Sequence, residues 1–188
     1  MPMIYALLDK EALLKKGLSL QQLAEKIESL HIPIAQYRHK SGSLQEKQQD
    51  LQLIKKYFRG TLIVNDSIEL IEFCDGLHVG QEDIRAFNDN LETAVSIIRA
   101  TIGKKLLGLS THNLLEITEA NDLDLDYIGL GAYRGTSTKA EAKVLGEEAL
   151  VLAKSSKHPV GLIGGVKLSD QFEKQITYRV IGSDLYED

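Results

Sequence analysis

The stretch LIVNDSIELIEFCDGLHVGQED, residues 62–83, contains the pattern that decides the fold. Two short runs, Leu62–Val64 and Gly76–Val79, are apolar apart from His78, and polar residues follow each run on its carboxyl side. Short runs that are mostly apolar on both faces are typical of strands in a parallel sheet that is covered on both sides. In such sheets the active site lies at the carboxyl ends of the strands. We therefore expect two buried strands here, with the polar residues after them at the functional edge.

The same alternation of short apolar runs and helix-period segments continues in both directions. The predicted strands are Ile4–Leu8, Pro33–Tyr37, Leu62–Val64, Gly76–Val79, Leu106–Leu109, Tyr127–Leu130, Val160–Ile163 and Tyr178–Ile181. Capping boxes predict helix starts at Ser19 with Gln22, Ser43 with Glu46, Asp89 with Glu92, and Asn113 with Glu116. Such repeated strand–helix units form a parallel sheet, either doubly wound or closed.

A closed barrel is favoured because no glycine-rich dinucleotide motif follows the first strand, where Asp9-Lys10-Glu11 stands instead. We predict a single domain over residues 1–188 of the α/β class, a shortened (β/α)8 TIM barrel that lacks its last helix. Such barrels typically need about 250 residues. Only five residues follow Ser183, too few for a barrel helix. We expect a homodimer to cover the flank left open, because the acidic tail from Leu185 onwards looks too polar for that task.

The charge balance limits the classes of partner. A net charge of −5 argues against a general nucleic-acid or membrane-surface binder. No apolar stretch approaches the roughly 18 residues of a membrane span, so a cytoplasmic location is expected. Cys74 is the only cysteine and lies in an apolar run, which indicates a buried, inert thiol.

Polar residues after the second strand suggest an anion site. Gln36, Arg38 and Lys40 lie on the same side of an extended segment because side chains alternate with period two. Two cations so spaced can hold one di-anionic group. The alternative is a solvated strand end with scattered charge.

Asp66 and Asp83 are candidate ligands for a hard cation. Mg2+ is usually held by one or two carboxylates together with substrate phosphate oxygens and water. Asp66 could equally be a helix cap, because Glu69 lies three residues further on.

Later strands also end in polar or glycine-rich segments. The loop Gly131-Ala132-Tyr133-Arg134-Gly135-Thr136-Ser137-Thr138-Lys139 suits a phosphate lid, and Gly164-Gly165 could let backbone amides approach a phosphate. Each of these segments could also be an ordinary connection or turn. His78 is expected to orient its neighbours, whereas His112 opens a helix, where capping or substrate contact competes with acid–base work.

Taken together, these segments resemble the thiamine phosphate synthase/thiazole tautomerase family of barrels, from about Ile4 to Ser183. The matching motifs, in chain order, are Gln36-x-Arg38-x-Lys40, Val64-Asn65-Asp66, His78-Val79-Gly80-Gln81-Glu82-Asp83, Gly108-Leu109-Ser110-Thr111-His112, Gly129-Leu130-Gly131 through Thr136-Ser137-Thr138-Lys139, and Ile163-Gly164-Gly165-Val166. Each motif is weak alone, but their occurrence in order at successive strand ends is specific.

The resemblance implies a Mg2+-dependent transferase of thiamine biosynthesis. It would join hydroxymethylpyrimidine pyrophosphate to a thiazole phosphate and release pyrophosphate. Residues implied to bind substrate are Gln36, Arg38, Lys40, Asn65, Ser110, His112, Thr136, Thr138, Lys139, Gly165, Gly182 and Ser183. Those implied to be catalytic are Arg38, Lys40, Ser110 and Lys139, and Asp66 and Asp83 would hold Mg2+.

Two other functions remain open at this point. The first is a thiazole tautomerase-like isomerase, a branch that typically loses the metal carboxylates, whereas Asp66 and Asp83 are both present here. The second is a non-catalytic barrel that binds a phosphorylated ligand. The sequence departs from the synthase pattern at His39, where a Glu is usual, and at Ala132 and Gly135, which replace two prolines.

Overall fold

Eight parallel strands close into a barrel in chain order, with the last strand pairing with the first. A computed structural model describes residues 2–135 and 143–187. The strands are β1 Met3–Asp9, β2 Ile34–Arg38, β3 Thr61–Asn65, β4 Gly76–Val79, β5 Leu106–Thr111, β6 Tyr127–Leu130, β7 Val160–Leu162 and β8 Tyr178–Ile181. The predicted TIM barrel is confirmed, and every predicted strand is present with bounds that differ by no more than about two residues.

The helices pack around the barrel and are mostly short. They are α1 Lys10–Lys15, α2 Leu20–Ser29, α3 Leu44–Tyr57, α4 Gln81–Arg85, α5 Leu91–Ile102, α6 Leu114–Ala120 and α7 Glu148–Ala153, with 3-10 helices at Ile68–Phe73 and Ser183–Tyr186. Within the described ranges, no helix is both long enough and apolar enough to cross a bilayer.

Two of the four predicted capping boxes are present in full. Ser19 and Ser43 each exchange hydrogen bonds with the residue three positions on. The prediction at Asp89 was wrong, because Asn90 lies next to the helical run and caps α5 by accepting from the Thr93 amide. Asn113 does cap α6, but the Glu116 carboxylate turns to His112 instead of completing the box.

Several of the connections between the barrel strands contain short helices or no helix. Residues 163–177, which join β7 to β8, contain no helix, and α7 has only six residues. A 3-10 helix takes the place of an α-helix after β3 and again after β8. Within the described residues, the barrel is therefore shortened after β3 and after β7.

The tail after β8 covers the flank next to β1. Leu185 and Tyr186 are buried, and the Tyr186 hydroxyl donates to the Leu7 carbonyl and accepts from the Asp9 amide at 3.0 Å. Lys26 also donates to the carbonyl of Glu187 at 2.6 Å. The expectation that this tail is too polar to cover the flank was wrong, because the two large side chains of Leu185 and Tyr186 are buried while Glu187 is exposed.

The interior of the barrel is a small core separate from the one beneath the helices. Tyr5, Ile34, Ile63, Tyr127 and Val180 form it, and all five are nearly inaccessible to solvent. Because side chains alternate along a strand, residues two positions further on also point inward, one layer closer to the carboxyl ends. On β2 and β3 that layer holds the polar side chains of Gln36 and Asn65, which places a candidate site directly above the inner core.

Candidate active site at the carboxyl ends of the strands

Polar side chains from four neighbouring strands meet above the inner core. Gln36 and Arg38 come from β2, Asn65 ends β3, His78 lies in β4 and Ser110 lies in β5. Each is at or near the carboxyl end of its strand, the edge at which barrels of this type carry their active sites. The strand register therefore brings together residues that the sequence places up to about seventy positions apart.

The two inward residues of β2 have different partners on β1. Gln36 is buried and donates to the Tyr5 hydroxyl at 2.9 Å, and Arg38 forms an ion pair with Asp9. Both therefore point inward, as the period-two pattern predicts. Lys40 lies beyond the end of β2 and is exposed, so strand periodicity no longer determines its direction.

Asp9 is a site residue that sequence reasoning missed. Its side chain is only 3% exposed, and it both pairs with Arg38 and caps α1 by accepting from the Ala12 amide at 2.9 Å. The available signal was its place directly after the first strand and before a helix, a position typical of an N-cap. That pattern does not reveal the arginine partner, which lies 29 residues away.

The two candidate metal ligands lie beside each other. Asp66 adopts a left-handed backbone with φ of 58°, and one of its oxygens accepts from the Gly80 amide at 3.3 Å. A Cβ placed on Gly80 would lie 2.6 Å from a carboxylate oxygen of Asp83, so Asp83 folds back over the same glycine. Burial, and after it the negative charge of Asp83, raises the pKa of Asp66.

Asp66 does not cap a helix, which removes the alternative explanation for its presence. The following 3-10 helix begins after Ser67, and that residue makes no side-chain capping bond. The Asp66 carboxylate instead accepts a second hydrogen bond, from the side-chain amide of Asn65.

Two carboxylates that repel each other at neutral pH are a fitting pair of ligands for a divalent cation. Across the described ranges, no group of three or more His, Cys, Asp and Glu side chains is arranged to hold a metal. A site with only Asp66 and Asp83 suits Mg2+, which completes its coordination with water and substrate phosphate oxygens.

His78 connects the floor of the barrel to Ser110. Its Nδ1 lies 3.0 Å from the Tyr127 hydroxyl, and its Nε2 lies 2.9 Å from Ser110 Oγ. The Tyr127 hydroxyl in turn lies 2.8 Å from that of Tyr5. These contacts agree with the expectation that His78 orients its neighbours.

His112 is paired with a carboxylate of the helix that follows it, α6. Its Nδ1 lies 2.9 Å from Glu116 Oε2, the same oxygen that accepts from the His112 amide. The imidazole is partly exposed at the mouth of the barrel. Substrate contact by His112 stays a prediction.

The glycines after β7 are held by the loop that follows β6. Gly164 and Gly165 have φ values of 96° and 60°, a region that other residues rarely adopt. Arg134 donates to the Gly165 carbonyl at 2.8 Å and pairs with Asp170 at 2.6 Å. Arg134 therefore ties two loops together, a role that its sequence context did not indicate.

The remaining predicted phosphate contacts are only partly described. Gly182 and Ser183 lie at the carboxyl end of β8, where the final 3-10 helix begins. Thr136, Thr138 and Lys139 lie outside the described residues.

Comparison with known proteins identifies the family. A family model described as thiamine monophosphate synthase matches residues 4–176. The chain belongs to this family. A thiamine-phosphate synthase of Persephonella marina is 33% identical over 181 residues, which cover 93% of this chain and 79% of the relative. One from a Synechococcus strain is 36% identical over 143 residues, but the match spans only 38% of its length.

Solved structures support the fold. A thiamine phosphate pyrophosphorylase from Pyrococcus furiosus superposes with a TM-score of 0.73 over 96% of this chain and 86% of that chain, at 21% identity. The thiamine monophosphate synthase motifs at residues 36–40, 64–66, 78–83, 108–112 and 163–166 all lie at strand carboxyl ends of this barrel.

Proposed function

We propose that the protein joins hydroxymethylpyrimidine pyrophosphate to a thiazole phosphate, releasing pyrophosphate, with Mg2+ bound by Asp66 and Asp83. Membership of the thiamine monophosphate synthase family supports the reaction. The observation that carries the metal assignment is the placement of both carboxylates around Gly80, at the edge that also presents Arg38 and Ser110.

The reaction requires charge stabilisation more than a protein nucleophile. The bond between the pyrimidine methylene carbon and a pyrophosphate oxygen breaks, its electrons leave with pyrophosphate, and the thiazole nitrogen bonds to that carbon. Bound Mg2+ supplies positive charge for the leaving group. Arg38 and the Ser110 hydroxyl are fixed donors at the same edge, and preorganised donors of this kind stabilise developing negative charge.

The two other functions predict different assay results. A tautomerase would act on a thiazole phosphate alone and without Mg2+, and it would have no use for the repelling pair Asp66 and Asp83. A non-catalytic barrel would bind a phosphorylated ligand without turnover.

The deciding experiment measures pyrophosphate release with both substrates, with each substrate alone, and with and without Mg2+. We expect release only when both substrates and Mg2+ are present. Conversion of the thiazole alone would support the tautomerase, and binding without release would support the non-catalytic barrel.

Lys139→Ala is expected to lower kcat about tenfold or more while leaving stability within about 0.5 kcal/mol. The proposed partner of Lys139 is the departing pyrophosphate, whose charge develops in the transition state. Lys143→Ala is the matched control, because it removes an exposed lysine from the same segment of the chain. A large drop in melting temperature with normal kcat would make Lys139 structural.

We propose a homodimer as well, because a symmetric dimer is the commonest oligomer of soluble proteins; Leu185 and Tyr186 already cover the flank beside β1, so the contact would lie elsewhere. Light scattering at micromolar concentration measures the mass directly. Twice the chain mass of 20.9 kDa supports the dimer, and 20.9 kDa contradicts it.

A further inference from the structure

A line of hydrogen bonds crosses the interior of the barrel from β2 to β5. Gln36 Nε2 lies 2.9 Å from the Tyr5 hydroxyl, which lies 2.8 Å from that of Tyr127. Tyr127 then contacts His78 Nδ1 at 3.0 Å, and His78 Nε2 contacts Ser110 Oγ at 2.9 Å. The first four residues are buried and Ser110 is half-buried, so this chain links the closed floor of the barrel to its open mouth.

The hydrogen-bond chain has a donor-to-acceptor direction, and that direction is determined at Gln36. The amide nitrogen of Gln36 only donates, so the Tyr5 oxygen accepts this bond. Among the described residues, the other recorded partner of the buried Tyr5 hydroxyl is the Tyr127 oxygen 2.8 Å away, so we assign the single Tyr5 proton to that bond. Burial raises the pKa of both Tyr5 and Tyr127, so both phenols keep these protons.

The same reasoning determines the tautomer of His78. The Tyr127 oxygen accepts from Tyr5, so its own proton points to Nδ1 of His78, which must be unprotonated to accept it. The ring proton of the neutral imidazole is then on Nε2 and is donated to Ser110 Oγ. The hydroxyl proton of Ser110 is not used within the chain and remains to be donated into the site.

Gly108 leaves the space that this arrangement needs. A Cβ at this inward position would lie 2.5 Å from the Tyr127 hydroxyl oxygen and 2.6 Å from His78 Nδ1. Only glycine is compatible with both groups at these positions, because real Cβ atoms do not approach so closely.

We propose that Gln36, Tyr5 and Tyr127 are positioning residues that hold His78 as its Nε2–H tautomer and thereby make Ser110 a hydrogen-bond donor to an anionic group of the substrate. The anion is pyrophosphate if the proposed function holds, whereas the tautomer does not depend on that function. A hydroxyl that donates is what an acceptor-only phosphate oxygen needs.

Nitrogen NMR of the histidine rings in the ligand-free protein tests the tautomer without any assay of activity. We expect wild-type His78, assigned by the loss of its signal in His78→Asn, to show an unprotonated Nδ1 and a protonated Nε2. In Gln36→Glu the carboxylate accepts where the amide donated, which reverses the chain, so Nδ1 of His78 should become protonated. An Nδ1 that is protonated in the wild type, or unchanged in Gln36→Glu, overturns the proposal.

A double-mutant cycle tests the consequence for Ser110, with inorganic pyrophosphate and Mg2+ as the probe in calorimetry. Tyr127→Phe and Ser110→Ala should each weaken binding about tenfold, because each removes the same charge-assisted bond. The double variant should bind no more weakly than Ser110→Ala. Additive losses would show that Tyr127 acts by another route and would overturn the positioning role.

Tyr178→Phe is the matched control for the loss of a buried hydroxyl. Its ring packs against those of Tyr5 and Tyr127 with centroid distances of 6.0 Å, but it is not part of the hydrogen-bond chain described above. Its affinity for pyrophosphate should stay within about twofold of wild type. If the wild type binds no pyrophosphate, the proposed function fails, and NMR alone decides the tautomer.

Discussion

Asp83→Ala is expected to lower kcat about a hundredfold or more and to abolish the response of the rate to Mg2+. A metal clamp contributes several kcal/mol of transition-state stabilisation, and removing one of two protein carboxylates leaves Asp66 alone to bind the ion. Steady-state rates measured across a Mg2+ titration check this. A wild-type rate that is unchanged in EDTA would contradict both the metal site and the synthase reaction.

Stability separates loss of the metal site from loss of the fold in this variant. The pKa of Asp66 is raised by burial and by Asp83, so its ionised form destabilises the folded chain as pH rises through that pKa. Asp83→Ala removes one cause of the raised pKa, and the metal-free variant should therefore melt no lower than wild type at neutral pH. Glu82→Ala, an exposed carboxylate of the same helix turn, is the control and should keep both rate and melting temperature.

Asp9→Ala is expected to lower the free energy of unfolding by about 3–5 kcal/mol. The side chains of Asp9 and Arg38 are 3% and 13% exposed, so the substitution leaves a largely buried guanidinium without its counter-charge. It also removes the acceptor for the Ala12 amide, a cap that contributes about 1 kcal/mol. Urea unfolding monitored by circular dichroism measures the change.

Two further variants divide that loss into its parts. Asp9→Asn keeps an oxygen for the α1 cap but removes the charge. Its free energy of unfolding should therefore exceed that of Asp9→Ala only by the contribution of the cap, about 1 kcal/mol. Adding Arg38→Met to Asp9→Asn removes the unpaired cation and should restore part of the lost stability. If the double variant is no more stable than Asp9→Asn, the ion pair is not the source of the effect.

Sequence patterns with a local cause were predicted well. Away from their carboxyl ends the strands are largely apolar on both faces, because the helices cover one side and the inner core fills the other, and each such run is visible within about five residues. The boxes at Ser19 and Ser43 are equally local. The box at Asp89 was wrong because Asn90, an equally good cap, lies one residue nearer to the helix.

The candidate site was predictable to the extent that strand ends can be located. Gln36, Arg38, Asn65 and Ser110 meet because parallel strands bring their carboxyl ends to one edge. Lys40 shows the limit of that reasoning, since it lies beyond the strand, where alternation no longer applies.

The sequence by itself therefore determined the barrel, the edge that carries the candidate site, and the family to which the motifs belong. Only the tertiary structure decided which side chains contact each other across the barrel. Asp9 pairs with Arg38 over 29 residues, Tyr5 meets Tyr127 over 122, and Tyr186 reaches the Asp9 amide over 177. Periodicity assigns a side chain to a face, but a partner is selected by strand register and by packing, which exist only once the barrel has closed.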